Sequence, residues 1–242
     1  MVDLVPIRFD APLFSFGAPA VDRFRKTARF PALSMVTGLI GNALGVDHRE
    51  AVYLNELQQS LTIGSRVERS GQTIRDYQTV DLSQPFMREG WTTRGAPESR
   101  GGGTSTSTHI RHRHYWCDSI VTTLVRVESA PDGVSPGTVL EALQHPERPL
   151  FIGRKSCLPA GPLAARDTLF SASSIRSGLA SFPAHDRSDG SDQMFARWPA
   201  SPDHLDEENV REITDTRDWR NQIHAGHRFV RQDTISLEDH SS

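Results

Sequence analysis

Apolar positions recur along this chain with two different periods, and the changes of period mark its elements. "LVPIRF" (4–9) is an apolar run of strand length, and "DRFRKTARFP" (22–31) after it has no period and reads as a loop. From Ser34 the period becomes helical. Met35, Val36, Leu39, Ile40, Ala43 and Leu44 fall on one face, Ser34 stands as the cap and Gly45 as the stop. Gly38 and Gly41 inside that helix lower its propensity by roughly 1 kcal/mol each. That cost points to a close approach by the sheet or by a ligand, the sheet being the commoner reason. "DHREAVYLNELQQSL" (47–61) predicts a second helix, with Asp47 and Glu50 in capping-box spacing. "TIGSRVE" (62–68), a turn at "SG" (70–71) and "QTIRDYQTV" (72–80) read as extended chain.

Residues 81–109 lose all periodicity and end in "GGGTSTSTH", which runs directly into "IRHRHYW". Then "RHYWCDSIVTTLVRV" (113–127), long and β-branched, predicts one continuous strand. "SPGTVLEALQHP" (135–146) predicts a helix capped by Ser135 with Pro136 at its first position, and "RPLFIG" (148–153) a last strand. The order is β, α, β, a long excursion, β, α, β, which is the ferredoxin-like, RRM-type arrangement within the α+β class. The excursion, about 70–114, stands where a plain hairpin turn is expected. It reads as an arm that leaves the sheet and returns through the His/Arg strand, since so long an insertion in a compact domain usually carries function. Residues 1–166 are thus expected to form one domain carrying the arm, and 167–242 a small β-rich part. In that part "QMFARWP" (193–199) and "HRFVRQ" (227–232) read as short strands, and the acidic "SPDHLDEENVREI" (201–213) as a solvated helix.

Composition changes this picture in one respect. The net charge of −3 hides an asymmetry. Residues 1–166 hold 19 Lys+Arg against 16 Asp+Glu, a balance of +3, and residues 167–242 hold 8 against 14, a balance of −6. Only Lys26 and Lys155 are Lys; every other cation is Arg, whose planar fork matches phosphate and stacks on bases. Two cysteines, Cys117 and Cys157, are too few for a disulfide framework. The first residues show no signal-peptide pattern, and the longest apolar stretch is too short to cross a bilayer. The expectation is a cytoplasmic protein with no membrane partner.

Four clusters concentrate candidate chemistry. The first is the loop with Arg23, Arg25, Lys26 and Arg29, followed by Ser34. The second holds Arg75 and Tyr77, and further on Trp91 and Arg94. The third is Arg111, His112, Arg113, His114 and Tyr115. The fourth, past the last predicted strand, is Gly153, Arg154, Lys155 and Ser156. Single-stranded RNA needs cations and backbone N–H groups for phosphates and aromatic faces for splayed bases. Glycine lets the backbone approach a phosphate, and a serine hydroxyl adds a donor. His109, His112, His114 and Cys117 invite a zinc reading, but no second ligand pair has zinc-site spacing, and no metal or cofactor is expected. "GRKS" lacks the full phosphate-loop pattern, and no Gly-x-Ser-x-Gly elbow occurs. A metal-independent endoribonuclease stays open: it needs a base, an acid and a cation, and Tyr77, His112 or His114, and Lys155 are the candidates for those roles.

"RFPALSMVTGLIGNALG" (29–45), "RDYQTV" (75–80), "HYWCDSIVTTLV" (114–125) and "RPLFIGRKSCLPAGPL" (148–163) together resemble the Cas-five family of RAMP proteins, in its type I-E CRISPR Cascade branch. The resemblance covers most of 1–166 in the right order. It implies an RRM-type domain with a β-hairpin thumb, and a subunit that holds the 5′ handle of the CRISPR RNA. It also implies capping of the backbone filament, with CasC and the large subunit CasA as partners and target DNA met only through the complex. Arg25, Arg29, Arg113, Tyr115 and residues 153–157 match positions of the family pattern. In this branch a separate subunit cuts the precursor RNA, which implies a non-catalytic role; in a related branch the equivalent protein does the cutting.

Overall fold

The computed structural model describes residues 1–18, 23–84, 89–91, 97–99, 108–131 and 133–238. The N-terminal half holds β1 (Val2–Asp10), β2 (Leu13–Phe14), β3 (Phe24–Arg25), α1 (Leu33–Ala43), α2 (Ala51–Ser60), β4 (Leu61–Arg69) and β5 (Gln72–Asp81). Then come β6 (Glu89–Trp91), β7 (Pro97–Ser99), β8 (Thr108–Cys117), β9 (Ile120–Val127) and α3 (Pro136–Gln144). The remainder holds β10 (Phe170–Ala172), α4 (Ile175–Ser181), β11 (Gln193–Pro199), β12 (Val210–Ile213), β13 (Arg217–Asp218), β14 (Ile223–His224) and β15 (Arg228–Ser236). The class is α+β with mostly antiparallel pairing.

The main sheet has seven strands in the order β10-β1-β9-β4-β11-β15-β12, each neighbouring pair antiparallel. Alternation along its strands feeds two cores. Val5, Ile7 and Phe9 of β1, with Ile63 and Val67 of β4 and Val121 and Val125 of β9, pack under α1, α2 and α3. Leu4, Leu124, Met194, Ala196 and Trp198 point the other way, under α4. On that second face β4 also carries Arg66 and Glu68, both 0% exposed at their side chains. Arg66 Nη2 donates to Glu68 Oε1 at 2.7 Å and Nη1 donates to the Leu179 carbonyl of α4. Glu68 Oε2 accepts from the His185 backbone N–H at 2.9 Å. The ion pair therefore ties the sheet to the chain that follows α4.

Residues 167–242 do not stand apart. β11 pairs with β4, so the expected boundary at 166/167 falls within one continuous sheet. The physical reason is the open edge of β4, whose backbone groups need partners. The part is β-rich as expected, with β11 spanning the predicted 193–199 and β15 taking in most of 227–232. The acidic 201–213 is not a helix. It makes a short 3₁₀ turn at Pro202–His204 and then β12, because a segment polar all round has no face to bury while Val210 can pair along β15.

Other expectations need correction. "RPLFIG" forms no strand: Leu150 and Ile152 are buried, but the Ile152 N–H donates to the Cys157 carbonyl and the Ser15 N–H to Ile152. The outer edge of β1 is covered instead by residues 160–165, through Arg8 N–H to Leu163 O at 2.8 Å and Ala165 N–H to Pro6 O at 2.9 Å, and then by β10. The long strand predicted over 113–127 is two. It breaks at Asp118, whose φ of +53° is left-handed, and the halves join different sheets. α2 starts at Ala51, and the Asp47–Glu50 contact closes the turn before it. Gly38 and Gly41 face Trp219 and Leu54, not the sheet. α1 is capped from 182 residues away: the Leu33 N–H donates to Asp215 Oδ2 at 3.1 Å, and Ser34 sits inside the first turn, 6% exposed.

Candidate nucleic-acid interface

The arm is built by two strands and a third added alongside. β5 and β8 pair in an unbroken antiparallel register from Gln72↔Cys117 to Asp81↔Thr108. β3 lies parallel on the other side of β8, with Phe24 opposite His112 and Arg25 opposite Arg113. The cationic loop is therefore partly a strand, which the sequence did not suggest because two residues carry no period. At the arm's base two backbone segments approach closely. Gly71 has φ +58°, and a Cβ there would lie 2.4 Å from the Cys117 carbonyl oxygen, so only glycine turns the chain at that point.

Strand alternation sorts the side chains into two faces. One carries Phe24, Arg75, Tyr77, His112, His114 and Trp116; the other carries Arg25, Arg111, Arg113 and Tyr115. His112 and His114 share a face as alternation predicts, with His109 and Cys117 on the opposite one. On the first face Phe24 stacks on His112 at 4.9 Å, and Tyr77 packs against the same imidazole at 5.3 Å. Burial holds His112 below the ordinary histidine value, and the charges of Arg75, Arg23 and His114 push it the same way.

The turn at residues 152–157 closes on this strand group. The Cys157 N–H donates to Arg154 O at 2.8 Å, and Gly153 has φ +84° with its Cα hard against the Ser15 carbonyl. That geometry projects Arg154 across the arm's base. Its Nη1 donates to His114 O at 3.2 Å, its Nη2 to Arg25 O at 3.1 Å, and its guanidinium lies 4.5 Å over the Tyr115 ring. Lys155, Ser156 and Gly153 stay exposed beside it. Arg29 is a second clamp: it lies 4.5 Å over Trp116 and donates to Ser70 O at 3.1 Å, and burial lowers its pKa.

Most of the predicted residues thus converge. Arg23, Arg25, Arg75, Tyr77, Arg111, Arg113 and Arg154 come from segments far apart in sequence and meet on or beside one small sheet, with Lys26, Lys155 and Ser156 exposed on the adjoining loops. Two residues do not fit their expected role. Ser34 is buried in α1, and Tyr115, 6% exposed, lies under Arg154 where no base can reach its face. Trp91 belongs to the separate β6–β7 pair, and Arg94 lies outside the described residues. Phe24 and Trp116 were missed; the only sequence signal was the flanking Arg23 and Arg25 for Phe24 and the neighbouring Tyr115 for Trp116.

Ion pairs are concentrated in and around the main sheet, although Arg176 of α4 and Arg211 of β12 have none among the described residues. In and around the main sheet Arg8, Arg66, Arg69, Arg126, Arg187, Arg197, Arg228 and Arg231 each have a carboxylate partner. Arg23, Lys26, Arg75, Arg111, Arg113, Arg154 and Lys155 have no ion pair with any described carboxylate. No helix among the described residues is long and apolar enough to cross a membrane.

Comparison with known proteins gives the family. The model of a family described as CRISPR-associated protein (Cas_Cas5) matches residues 5–231. The CRISPR system Cascade subunit CasD of Escherichia coli (strain K12) is 30% identical over 158 residues, 65% of this chain and 67% of that one. Two solved structures share the fold. One, titled "CRISPR RNA-guided surveillance complex", has a TM-score of 0.72 at 21% identity, over 97% of this chain and 90% of the other. The second, titled "Crystal structure of Cas protein", has a TM-score of 0.66 at 24% identity, over 96% and 95%. Given a family match that runs through nearly the whole chain, from β1 into β15, the protein belongs to the CRISPR-associated Cas5 family.

Proposed function

We propose that this chain is a non-catalytic, RNA-binding subunit of a Cascade-type CRISPR surveillance complex. In this reading it holds the 5′ handle of the CRISPR RNA and caps the filament of CasC backbone subunits near CasA. One observation carries the proposal: Arg23, Lys26, Arg75, Arg111, Arg113, Arg154 and Lys155 gather on one small sheet and its adjoining loops with no ion pair to a described carboxylate, while eight arginines in and around the main sheet have one. Cations that form no ion pair suit a polyanion, because an internal ion pair would compete with each phosphate; Asp76, across the ladder from Arg113, forms none with it. The β1-β9-β4 strand order supports the RRM-type reading, and the β5–β8 ladder supports the thumb. Relatives named as a Cascade subunit and as part of an RNA-guided complex support the assignment.

Arg23, Arg25, Lys26, Arg75, Arg111, Arg113, Arg154 and Lys155 hold phosphates, with Gly153 and Ser156 offering backbone and hydroxyl donors. Changing Arg154 and Lys155 together to Ala is expected to weaken handle-RNA binding by about tenfold or more, since hydrogen bonds to charged groups contribute about 1.5–3 kcal/mol. The slope of log affinity against log salt should flatten by about 0.7 for each lost phosphate contact. Unchanged affinity and slope in filter-binding titrations would contradict the assignment. The same samples, kept in EDTA with repeat RNA, decide the enzymatic reading: a discrete product that disappears in His112→Ala or Lys155→Ala replaces the non-catalytic role with an endoribonuclease.

A further inference from the structure

Three strands contribute one aromatic each to a row across the arm. The Arg23 guanidinium lies 5.5 Å over the Phe24 ring, Phe24 stacks on His112 with ring planes 12° apart, and Tyr77 closes the row. Phe24 and His112 are half-buried, and cross-strand packing accounts for them. It does not account for Tyr77. That ring is 57% exposed on β5, and among the described residues no strand pairs with the outer edge of β5. The Nδ1 atom of His112 is buried without a hydrogen-bond partner. Burial, and the charges of Arg75, Arg23 and His114, favour the neutral form of this imidazole. Arg75 stands two residues before Tyr77 on the same strand face, about 6.7 Å along the strand.

We propose that the Phe24–His112–Tyr77 row is a base-stacking column, open at Tyr77, on which an unpaired base of a single-stranded nucleic acid continues the stack while Arg75 takes the phosphate beside it. This rests on the RNA-binding reading above and adds where a base is held. Phe24 and His112 are already stacked in the free protein and Tyr77 packs against them, tilted 53° to the imidazole, so only that one ring has to turn on binding. Stacking accepts any base, so this site contributes affinity and position rather than sequence choice.

The test uses the full chain and single-stranded RNA oligonucleotides of about twelve nucleotides, within the span of known single-strand sites. One oligonucleotide carries 2-aminopurine, whose fluorescence is quenched on stacking. Tyr77→Leu is expected to weaken binding about tenfold and abolish the quench while leaving the salt slope unchanged. Tyr77→Phe keeps both affinity and quench, and Arg75→Ala flattens the slope by about 0.7 and keeps the quench. If Tyr77→Leu binds and quenches like the parent while Arg154→Ala/Lys155→Ala loses binding, the column is overturned and the RNA-binding reading stands. If the parent protein binds no RNA, both fall.

Discussion

Arg66→Met is expected to lower unfolding free energy by about 3–5 kcal/mol, the largest effect of any single side-chain change described here. Arg66 and Glu68 have no solvent exposure, and burial pulls the guanidinium pKa down while Glu68 pulls it up. Removing Arg66 leaves the Glu68 carboxylate in the core without the guanidinium that hydrogen-bonds it. Glu68 would retain only the His185 N–H and Arg8, 3.6 Å away. The double change Arg66→Met with Glu68→Met is expected to cost less than the sum of the two single changes, because the orphaned charge is gone. Denaturant titration of the four proteins checks this. Additive losses, or a loss under 1 kcal/mol for Arg66→Met, would show that the pair is not the tie between the sheet and α4.

Gly153→Ala is expected to damage function and stability together. Its φ of +84° already costs a residue with a Cβ about 1–2 kcal/mol. The larger obstacle is steric: the added carbon would sit 1.7 Å from the Ser15 carbonyl oxygen and 2.9 Å from the carbonyl carbon, and a backbone cannot yield as a side-chain tip can. The 152–157 turn must open, and Arg154 then loses His114, Arg25 and the Tyr115 ring at once. The melting temperature should fall, and RNA affinity should fall at least as far as in Arg154→Ala/Lys155→Ala. A variant with parental melting and affinity would show that the turn does not set the position of Arg154.

How much of this was legible in the sequence depended on whether the signal was local. The α1 face, the Ser135 cap and β11 were read correctly, since each rests on neighbours a few residues apart. The 113–127 run misled because a left-handed Asp118 leaves hydrophobicity unchanged while sending the chain from one sheet to another. "RPLFIG" misled for the opposite reason: alternate residues are buried, but the backbone bonds to its own turn. At the candidate site the cationic clusters were visible, and the family resemblance pointed to the same segments. What stayed hidden was pairing across distance. Nothing local says that Phe24 meets His112, that Arg154 covers Tyr115, or that Asp215 caps α1. Ser34 looked available because it seemed to open a helix, and its burial follows from that distant cap.

The central claim is that Arg23, Lys26, Arg75, Arg111, Arg113, Arg154 and Lys155, which form no ion pair with a described carboxylate, lie against single-stranded RNA. Ultraviolet crosslinking of the protein purified with its bound RNA, mapped by mass spectrometry, tests it most directly. Crosslinked peptides are expected within 23–26, 72–81, 109–117 and 153–156, and not along the acidic 201–213. Crosslinks confined to other surfaces, or an arm that crosslinks only to protein, would contradict the claim.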